Sequence, residues 1–525
     1  MGSLAPYIKV LEEINKLKPV GVVVNLKQKP ITLYEIPVSL ESDTDVKRSS
    51  ILVAISEDLK RIYILRVKNL LYHSPIATPT SLRVRKEVLK ETLSPSETME
   101  HIGAVRAAIT ELIDMAEIQN SGIKLVGPKS VPLPGTLVYN PPTIVAQAML
   151  GKQEIPVHIG TLVDTNIDVT IDLQNLSRHC LIVGTTGTGK SWLRGVLLER
   201  LYDLGVPQLI FDPLRDYVKA VEELNGVNLR YGKNFLPRLD ALGPSMFRAM
   251  LRDVLTPLQL AIAVRAFKRF RVEARRSGKP LNPRKIINYI YAVGKEMKAM
   301  RETMDNAAAR VEALLDELGY PEEQKGIERY FQSTNGEANL FPNWKELINE
   351  KKLVNIDLLD ISDLALQVTV ASTLSEILEL RKKGEIPPLI VSFDETHRIA
   401  PREKNPPPSA MIVRNIIRFG RHYGIGIIAI TQFPDSIDTE LIRLPATRFI
   451  FAIDSDQLGA IRGILRDLPE ELKDYLPRLE RGTAFLAGTS DIIRHTLYVR
   501  ITAKRRTTHG GETPKFKVSK EVDRK

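Results

Sequence analysis

One cysteine in 525 residues cannot close an intrachain disulfide, so the chain is not a disulfide-stapled scaffold. No apolar run approaches the roughly 18–20 residues that a membrane helix requires, and membrane insertion is not expected. The first residues, MGSLAPYIKVLEEINKLKPV, lack a basic stretch followed by an apolar core and a small-residue cleavage site, which leaves the cytoplasm as the expected location. The 31 glycines and 33 prolines follow no period, and nothing recurs at intervals of about 20–50 residues, so fibres and solenoids are excluded as well.

What is present is a long globular chain. It is 43% hydrophobic and 26% charged, as ordinary folded proteins are, and its length calls for two or three domains. Lysine and arginine outnumber aspartate and glutamate by 74 to 63, which favours a polyanionic partner. The excess is local. Residues 261–300 hold 11 basic side chains against 2 acidic ones, the tail 503–525 holds 8 against 3, and the rest is close to neutral.

Residues 1–164 read as an N-terminal β-domain, a barrel or sandwich of short β-branched runs such as VGVVVNL (20–26), ITLYEIPVSL (31–40), 50–55 and 61–67. A helical segment is expected near 97–119 (ETMEHIGAVRAAITELIDMAEIQ), with strands resuming at 123–126, 135–139 and 157–163. From 165 to 502 strands alternate with helices of about 10–15 residues, the pattern of an α/β domain with a parallel sheet covered on both faces. Between about 235 and 332 the strands stop and helical spacing takes over, as in Val311, Leu314, Leu315 and Leu318, which is read as a helical insertion. Residues 503–525 form a basic C-terminal tail.

The strongest local signal is Gly184-Thr185-Thr186-Gly187-Thr188-Gly189-Lys190-Ser191, a full G-x-x-x-x-G-K-[ST] between the apolar strand CLIV and the helix SWLRGVLLERLYDL. Its glycines let backbone N–H groups curl around phosphate oxygens, Lys190 reaches the β- and γ-phosphates, and Ser191 can ligate Mg²⁺. Trp192 follows directly and joins the cofactor-contacting segment, its indole read as core or interface rather than as a base-stacking platform. ATP and Mg²⁺ are therefore the expected cofactors. The second signal is the strand LIVSF ending in Asp394-Glu395. In parallel sheets ligands gather at the carboxyl ends of strands, so Asp394 can hold a Mg²⁺-bound water and Glu395 can take the proton of the attacking water. The third is IGIIAITQ (425–432), whose Gln432 can hydrogen-bond the γ-phosphate or the attacking water, or merely cap a loop. Asp212, ending QLIFD, is either support for this group or a helix cap.

Three arginines fall at the opposite strand edge. Arg178 precedes the strand before the phosphate loop, and five strand residues span roughly 17 Å. Arg418 and Arg421 close a helix that Gly424 terminates. Such arginines can act in trans on a neighbouring subunit's nucleotide, or serve as ion pairs and helix C-terminal charges. Asp394-Glu395-Thr396-His397 lacks H-E-x-x-H spacing, so zinc is not expected. Cys180, His179 and the Tyr289/Tyr291 pair are read as packing or interface residues.

Taken together, these motifs resemble the HerA branch of the HerA/FtsK ATPases over nearly the whole length. His158-Ile159-Gly160-Thr161-Leu162, Arg178-His179, Asp212 with Asp216-Tyr217, Asp394-Glu395-Thr396-His397, the run Arg418 to Gly424, Thr431-Gln432 and the closing GTAFLAG (482–488) carry the resemblance. Arg215-Asp216 stand where the family usually has glycine-glutamate, and Phe419 replaces a typical glutamate. The resemblance implies a RecA-like P-loop ATPase core behind a small HAS-type barrel, a homohexameric ring around DNA, and work with a NurA-type nuclease in DNA end resection. It further implies that Arg178 and Arg421 act on the adjacent subunit. The expected function is an ATP-dependent DNA translocase or helicase in double-strand break repair. The rivals are a conjugation or secretion motor of the same superfamily and a nucleotide-controlled DNA clamp.

Overall fold

A computed structural model describes residues 5–25, 30–57, 61–73, 105–119, 122–277, 281–321 and 341–508. Residues 97–104 of the expected helical segment, 322–332 of the insertion and 509–525 of the tail lie outside the described residues.

The chain opens with a helix, Ala5–Lys16, and then forms seven strands: β1 (Gly21–Val23), β2 (Ile36–Leu40), β3 (Ile51–Ile55), β4 (Arg61–His73), β5 (Val105–Gln119), β6 (Gly122–Val126) and β7 (Leu137–Tyr139). Their order is β2-β1-β7-β3-β4-β5-β6, and a further pairing of β2 with β5 closes the first six into a barrel with β6 attached outside. Closure bends the two long strands. The β4–β5 ladder slips between Ile64 and Leu65 and again between Val67 and Asn69, which is how bulges let a sheet curl onto itself. Val23, Ile36, Val38, Leu52, Leu65 and Val138 fill the interior.

β5 overturns the helix expected near 97–119. Alanine, glutamate, leucine and methionine give that stretch a helical composition, yet Ala108, Thr110, Leu112 and Asp114 are buried while Ile109, Glu111 and Ile113 between them are half-buried. A two-residue period flanked by β4 and β2 is a strand, and pairing on both edges outweighs intrinsic propensity.

The chain continues through β8 (Pro156–Leu162), β9 (Asp168–Asp172), β10 (Cys180–Val183), β11 (Gln208–Asp212), β12 (Val227–Arg230), β13 (Leu353–Asp357), β14 (Leu389–Phe393), β15 (Ile425–Thr431), β16 (Thr447–Ile450), β17 (Thr483–Gly488) and β18 (Leu497–Arg500). By contacts, two units emerge: Met1–Asn175 with Ile182–Leu193 and Ala446–Ala503, and Leu176–Leu181 with Arg194–Pro445 and Lys504–Lys525.

In the first unit, β8 pairs with β9 and β18 rather than with the barrel strands, a correction to the sequence reading of 157–163. Gly160 permits this approach, since a Cβ there would lie 2.0 Å from the Arg500 carbonyl oxygen. β16, β17 and β18 pair antiparallel, so the expectation of a purely parallel sheet fails at this end. In the second unit β12-β13-β11-β14-β15 are parallel throughout. β11, β13, β14 and β15 are buried along their whole lengths, as strands covered on both faces are. Helices Asp363–Lys382 and Pro408–Tyr423 belong to this unit, as do Pro244–Leu251, Pro257–Ser277, Lys285–Glu296 and Arg301–Glu317 within the insertion. Pro257–Ser277 buries Leu260, Ala263, Phe267, Phe270 and Ala274, one stripe at helical spacing, and Phe247 stacks on Phe267 at 4.1 Å. No helix among the described residues is long and apolar enough to cross a membrane.

Candidate nucleotide site

β10 is apolar and buried, and it delivers the chain into the phosphate loop at Gly184. Side chains are excluded there, because a Cβ on Gly184 would meet Phe451 Cβ at 2.6 Å and Thr188 Oγ1 at 2.8 Å. Gly189 adopts φ +123°, a conformation that L side chains rarely take. The loop is braced from within: Thr185 N–H donates to the Ala452 carbonyl at 2.8 Å, and Thr188 Oγ1 donates to the Thr185 carbonyl at 2.8 Å. Lys190 Nζ donates to that same Thr185 carbonyl at 2.7 Å, which folds the ammonium back over the loop. Thr186, Gly187 and Ser191 are exposed, so the loop backbone and the first helical N–H groups of Lys190–Asp203 are accessible to an anion. The Trp192 indole is 44% exposed and donates to the Ala503 carbonyl at 3.1 Å, which anchors it to the chain after β18.

The second group lies at the carboxyl ends of β11, β14 and β15, three neighbouring parallel strands. Their registers bring Asp212, Asp394-Glu395 and Gln432 to one edge. Asp212 is buried and accepts the backbone N–H groups of Asp216 at 3.0 Å and Tyr217 at 2.9 Å. It is thus a local cap, and burial pushes its carboxyl up to about 7 against those two bonds. Asp394 accepts the Tyr217 hydroxyl on Oδ2 at 2.6 Å, and burial pushes its carboxyl up to about 6, with Tyr217 acting in the opposite sense.

Glu395 sits in the left-handed region at φ 48°, ψ 49°, immediately before the short helix Thr396–Ile399. Strain of this kind persists only where neighbours hold it. Gln432 Nε2 donates to both carboxylate oxygens at 3.2 and 3.4 Å. His397 Nδ1 approaches Oε2 to 3.2 Å without hydrogen-bond geometry, and its ring stands edge-on to Phe433 at 5.3 Å. The residue expected from the sequence as the base is therefore hydrogen-bonded by the glutamine expected at the γ-phosphate or the attacking water.

Mg²⁺ takes hard oxygen donors and keeps several waters, so one hydroxyl and one carboxylate are the protein donors it needs. Of that type are, in the first unit, the exposed Ser191 hydroxyl and, in the second, the Asp394 carboxylate, each taken by itself, and among the described residues no cluster of three or more His, Cys, Asp or Glu side chains forms a protein cage.

The arginines separate. Arg418 is committed in cis: its Nε lies 2.7 Å from Glu440 Oε2, and a second guanidinium nitrogen binds Oε1. Arg421, in the last turn of the same helix, is exposed and has no ion pair among the described residues. Arg178 is half-buried just ahead of β10. His179 packs as its sequence context suggested: burial lowers it to about 4, and as a neutral ring it accepts the Ile427 N–H on Nδ1 at 3.1 Å.

The profile of the family "Helicase HerA, central domain" matches residues 157–378. Residues 157–378 thus resemble a HerA central domain. Over 63% of its length it is 27% identical to the "DNA double-strand break repair helicase HerA" of Sulfolobus acidocaldarius, covering 66% of that protein. The protein of the same name from Sulfurisphaera tokodaii is 25% identical over 66% of this chain and 69% of its own. These matches span about two thirds of each relative. Among solved structures, VirB4 of Thermoanaerobacter pseudethanolicus aligns with 67% of this chain and 98% of its own at 17% identity, with a TM-score of 0.53. The fold is that of the P-loop ATPases, a RecA-like core with the barrel ahead of it.

Within this P-loop core, two buried side chains are not announced by the sequence. Tyr217 was noted only as part of a family run, and its bond to Asp394 spans 177 residues of sequence. Arg194, one turn past Lys190 and fully buried, reads in the sequence as an ordinary helix arginine. No local pattern announces either.

Proposed function

We propose that the chain is a Mg²⁺-dependent ATPase that drives DNA translocation or unwinding as a homohexamer. Its loop N–H groups and Lys190 hold the phosphates, and Ser191 and Asp394 supply the protein oxygens for the cation. Bound there, Mg²⁺ would neutralise charge on the phosphates. Glu395 takes the proton of the attacking water, and Gln432, already bonded to that carboxylate, orients the pair. Arg421, without an ion pair among the described residues, serves the nucleotide of the next subunit, whereas Arg418 is occupied by Glu440. Arg178, at the same far strand edge just ahead of β10, contributes to the adjacent subunit's nucleotide as well.

The observation that carries this reading is Glu395 held in a strained conformation by Gln432 beside Asp394. A clamp that only senses nucleotide needs a metal carboxylate, while a gripped general base implies turnover. The names of the HerA relatives support action on DNA, and the basic surplus at 261–300 suits a phosphate backbone. Repair of double-strand breaks in the cytoplasm with a NurA-type nuclease follows as the role.

The test is Glu395→Gln. ATP binding, followed by a fluorescent nucleotide, stays within about twofold of the parent while hydrolysis falls by about 10²–10⁴-fold. Unchanged hydrolysis removes Glu395 as the base. Duplex DNA should raise ATP turnover of the parent protein, and indifference to DNA favours the clamp.

A further inference from the structure

Behind Asp394 lies a buried layer that the roles above do not use. Tyr217 is 2% exposed, and its ring packs with Leu198, Ile210, Ala220 and Val221. Asp212, ending β11, fixes the backbone N–H groups of Asp216 and Tyr217. The tyrosine then reaches the adjacent strand end and donates its hydroxyl to Asp394 Oδ2 at 2.6 Å. One strand's terminal carboxylate thereby holds the residue that holds the next strand's terminal carboxylate.

Arg194 completes the layer. It is fully buried, its guanidinium carbon lies 5.3 Å from the centre of the Tyr217 ring, and its three nitrogens have no hydrogen-bond acceptor among the described residues. A buried cation of this kind is costly unless anions lie near, and Asp394 and Asp212 are the carboxylates whose field it feels. The ring of Tyr217 stacks against this cation while its hydroxyl serves the anion, so the phenol is fixed at both ends.

We propose that Tyr217, seated by Asp212 and backed by Arg194, is a positioning residue that sets the orientation of the Asp394 carboxylate for Mg²⁺. With Oδ2 committed to the phenol, Oδ1 is the oxygen presented to the metal's water shell. A carboxylate with both oxygens unrestrained would have to be ordered on each metal-binding event. Partners of this sort behind a metal ligand are commonly worth about 10–100-fold in metal affinity or activity. The inference rests on the proposed ATPase reading.

Tyr217→Phe tests it, because it deletes one hydroxyl and keeps the ring. Mn²⁺ serves as the probe, bound with a non-hydrolysable ATP analogue and followed by electron paramagnetic resonance. Its affinity should fall by about tenfold. The Mg²⁺ concentration for half-maximal ATPase should rise by a similar factor, excess Mg²⁺ should restore most of kcat, and nucleotide binding in EDTA should be unchanged. A merely structural tyrosine would not give rescue by metal. Asp212→Asn, which loosens the backbone under Tyr217 but keeps its hydroxyl, should weaken Mn²⁺ in the same direction by a smaller factor. Parental Mn²⁺ affinity in folded Tyr217→Phe, or a loss of turnover that excess Mg²⁺ does not restore, overturns the inference. A parent protein that hydrolyses no ATP at any Mg²⁺ concentration overturns the ATPase reading instead.

Discussion

At the scale of single residues, Glu395 combines strain with chemistry. A non-glycine side chain in the left-handed region costs about 1–2 kcal/mol, and here it falls on the residue proposed as the base. Glycine at 395 would relieve that cost and remove the carboxylate. Glu395→Gly is therefore expected to melt no lower than the parent while its hydrolysis drops by at least about 100-fold. A clear fall in melting temperature would mean that the grip of Gln432 on Glu395 outweighs the strain. Glu376 gives a second prediction. Burial pushes its carboxyl up to about 8 from 4.5, while Arg238 acts in the opposite sense. The folded chain thus keeps a proton there that the unfolded chain releases above about pH 4.5, and this stabilising contribution disappears as pH rises through about 8. Between pH 5 and 8.5 the urea midpoint of Glu376→Gln should fall less steeply than that of the parent, and parallel curves would contradict the burial effect.

At the scale of elements, what was legible was local. The apolar strand CLIV ahead of the phosphate loop has in the structure the bounds it has in the sequence, Cys180–Val183, because a short apolar run before a glycine-rich turn needs no distant partner to be recognised. β5 was misread for the complementary reason: its helical composition yields to a two-residue burial period that exists only once β2 and β4 lie on either side. The Tyr217–Asp394 bond and the burial of Arg194 were invisible for the same cause, since each is made by strand order rather than by spacing. The barrel supplies a prediction of the same kind. Arg66 on β4 is 1% exposed and binds Asp467 Oδ2 at 3.2 Å and the Thr496 carbonyl at 3.1 Å. Removing one partner of a buried pair typically costs about 3–5 kcal/mol. Asp467 is one-third exposed and can rehydrate, so Arg66→Ala should cost about 2–4 kcal/mol, read from urea midpoints. A loss below about 1 kcal/mol would mark Arg66 as replaceable packing.

At the scale of the whole molecule, the arginines decide whether one chain can complete its own reaction. Arg418 spends its guanidinium on Glu440, whereas Arg421, three residues on and exposed, has no counter-ion among the described residues. If Arg421 acts across a subunit boundary, a ring built from one protein lacking the base and another lacking the finger contains some junctions where an intact base meets an intact finger. Glu395→Gln and Arg421→Ala should each be nearly inactive alone, since an arginine finger is worth about 10³–10⁵ in kcat. In randomly mixed rings one junction in four joins an Arg421-bearing neighbour to a Glu395-bearing site, so about a quarter of the parental turnover is expected if junctions act independently. Recovery requires that the two residues serve one nucleotide from different chains. Mixed rings no more active than either variant, with ring assembly verified by mass, would place Arg421 in cis or outside the reaction and would leave Arg178 as the residue to test in the same way.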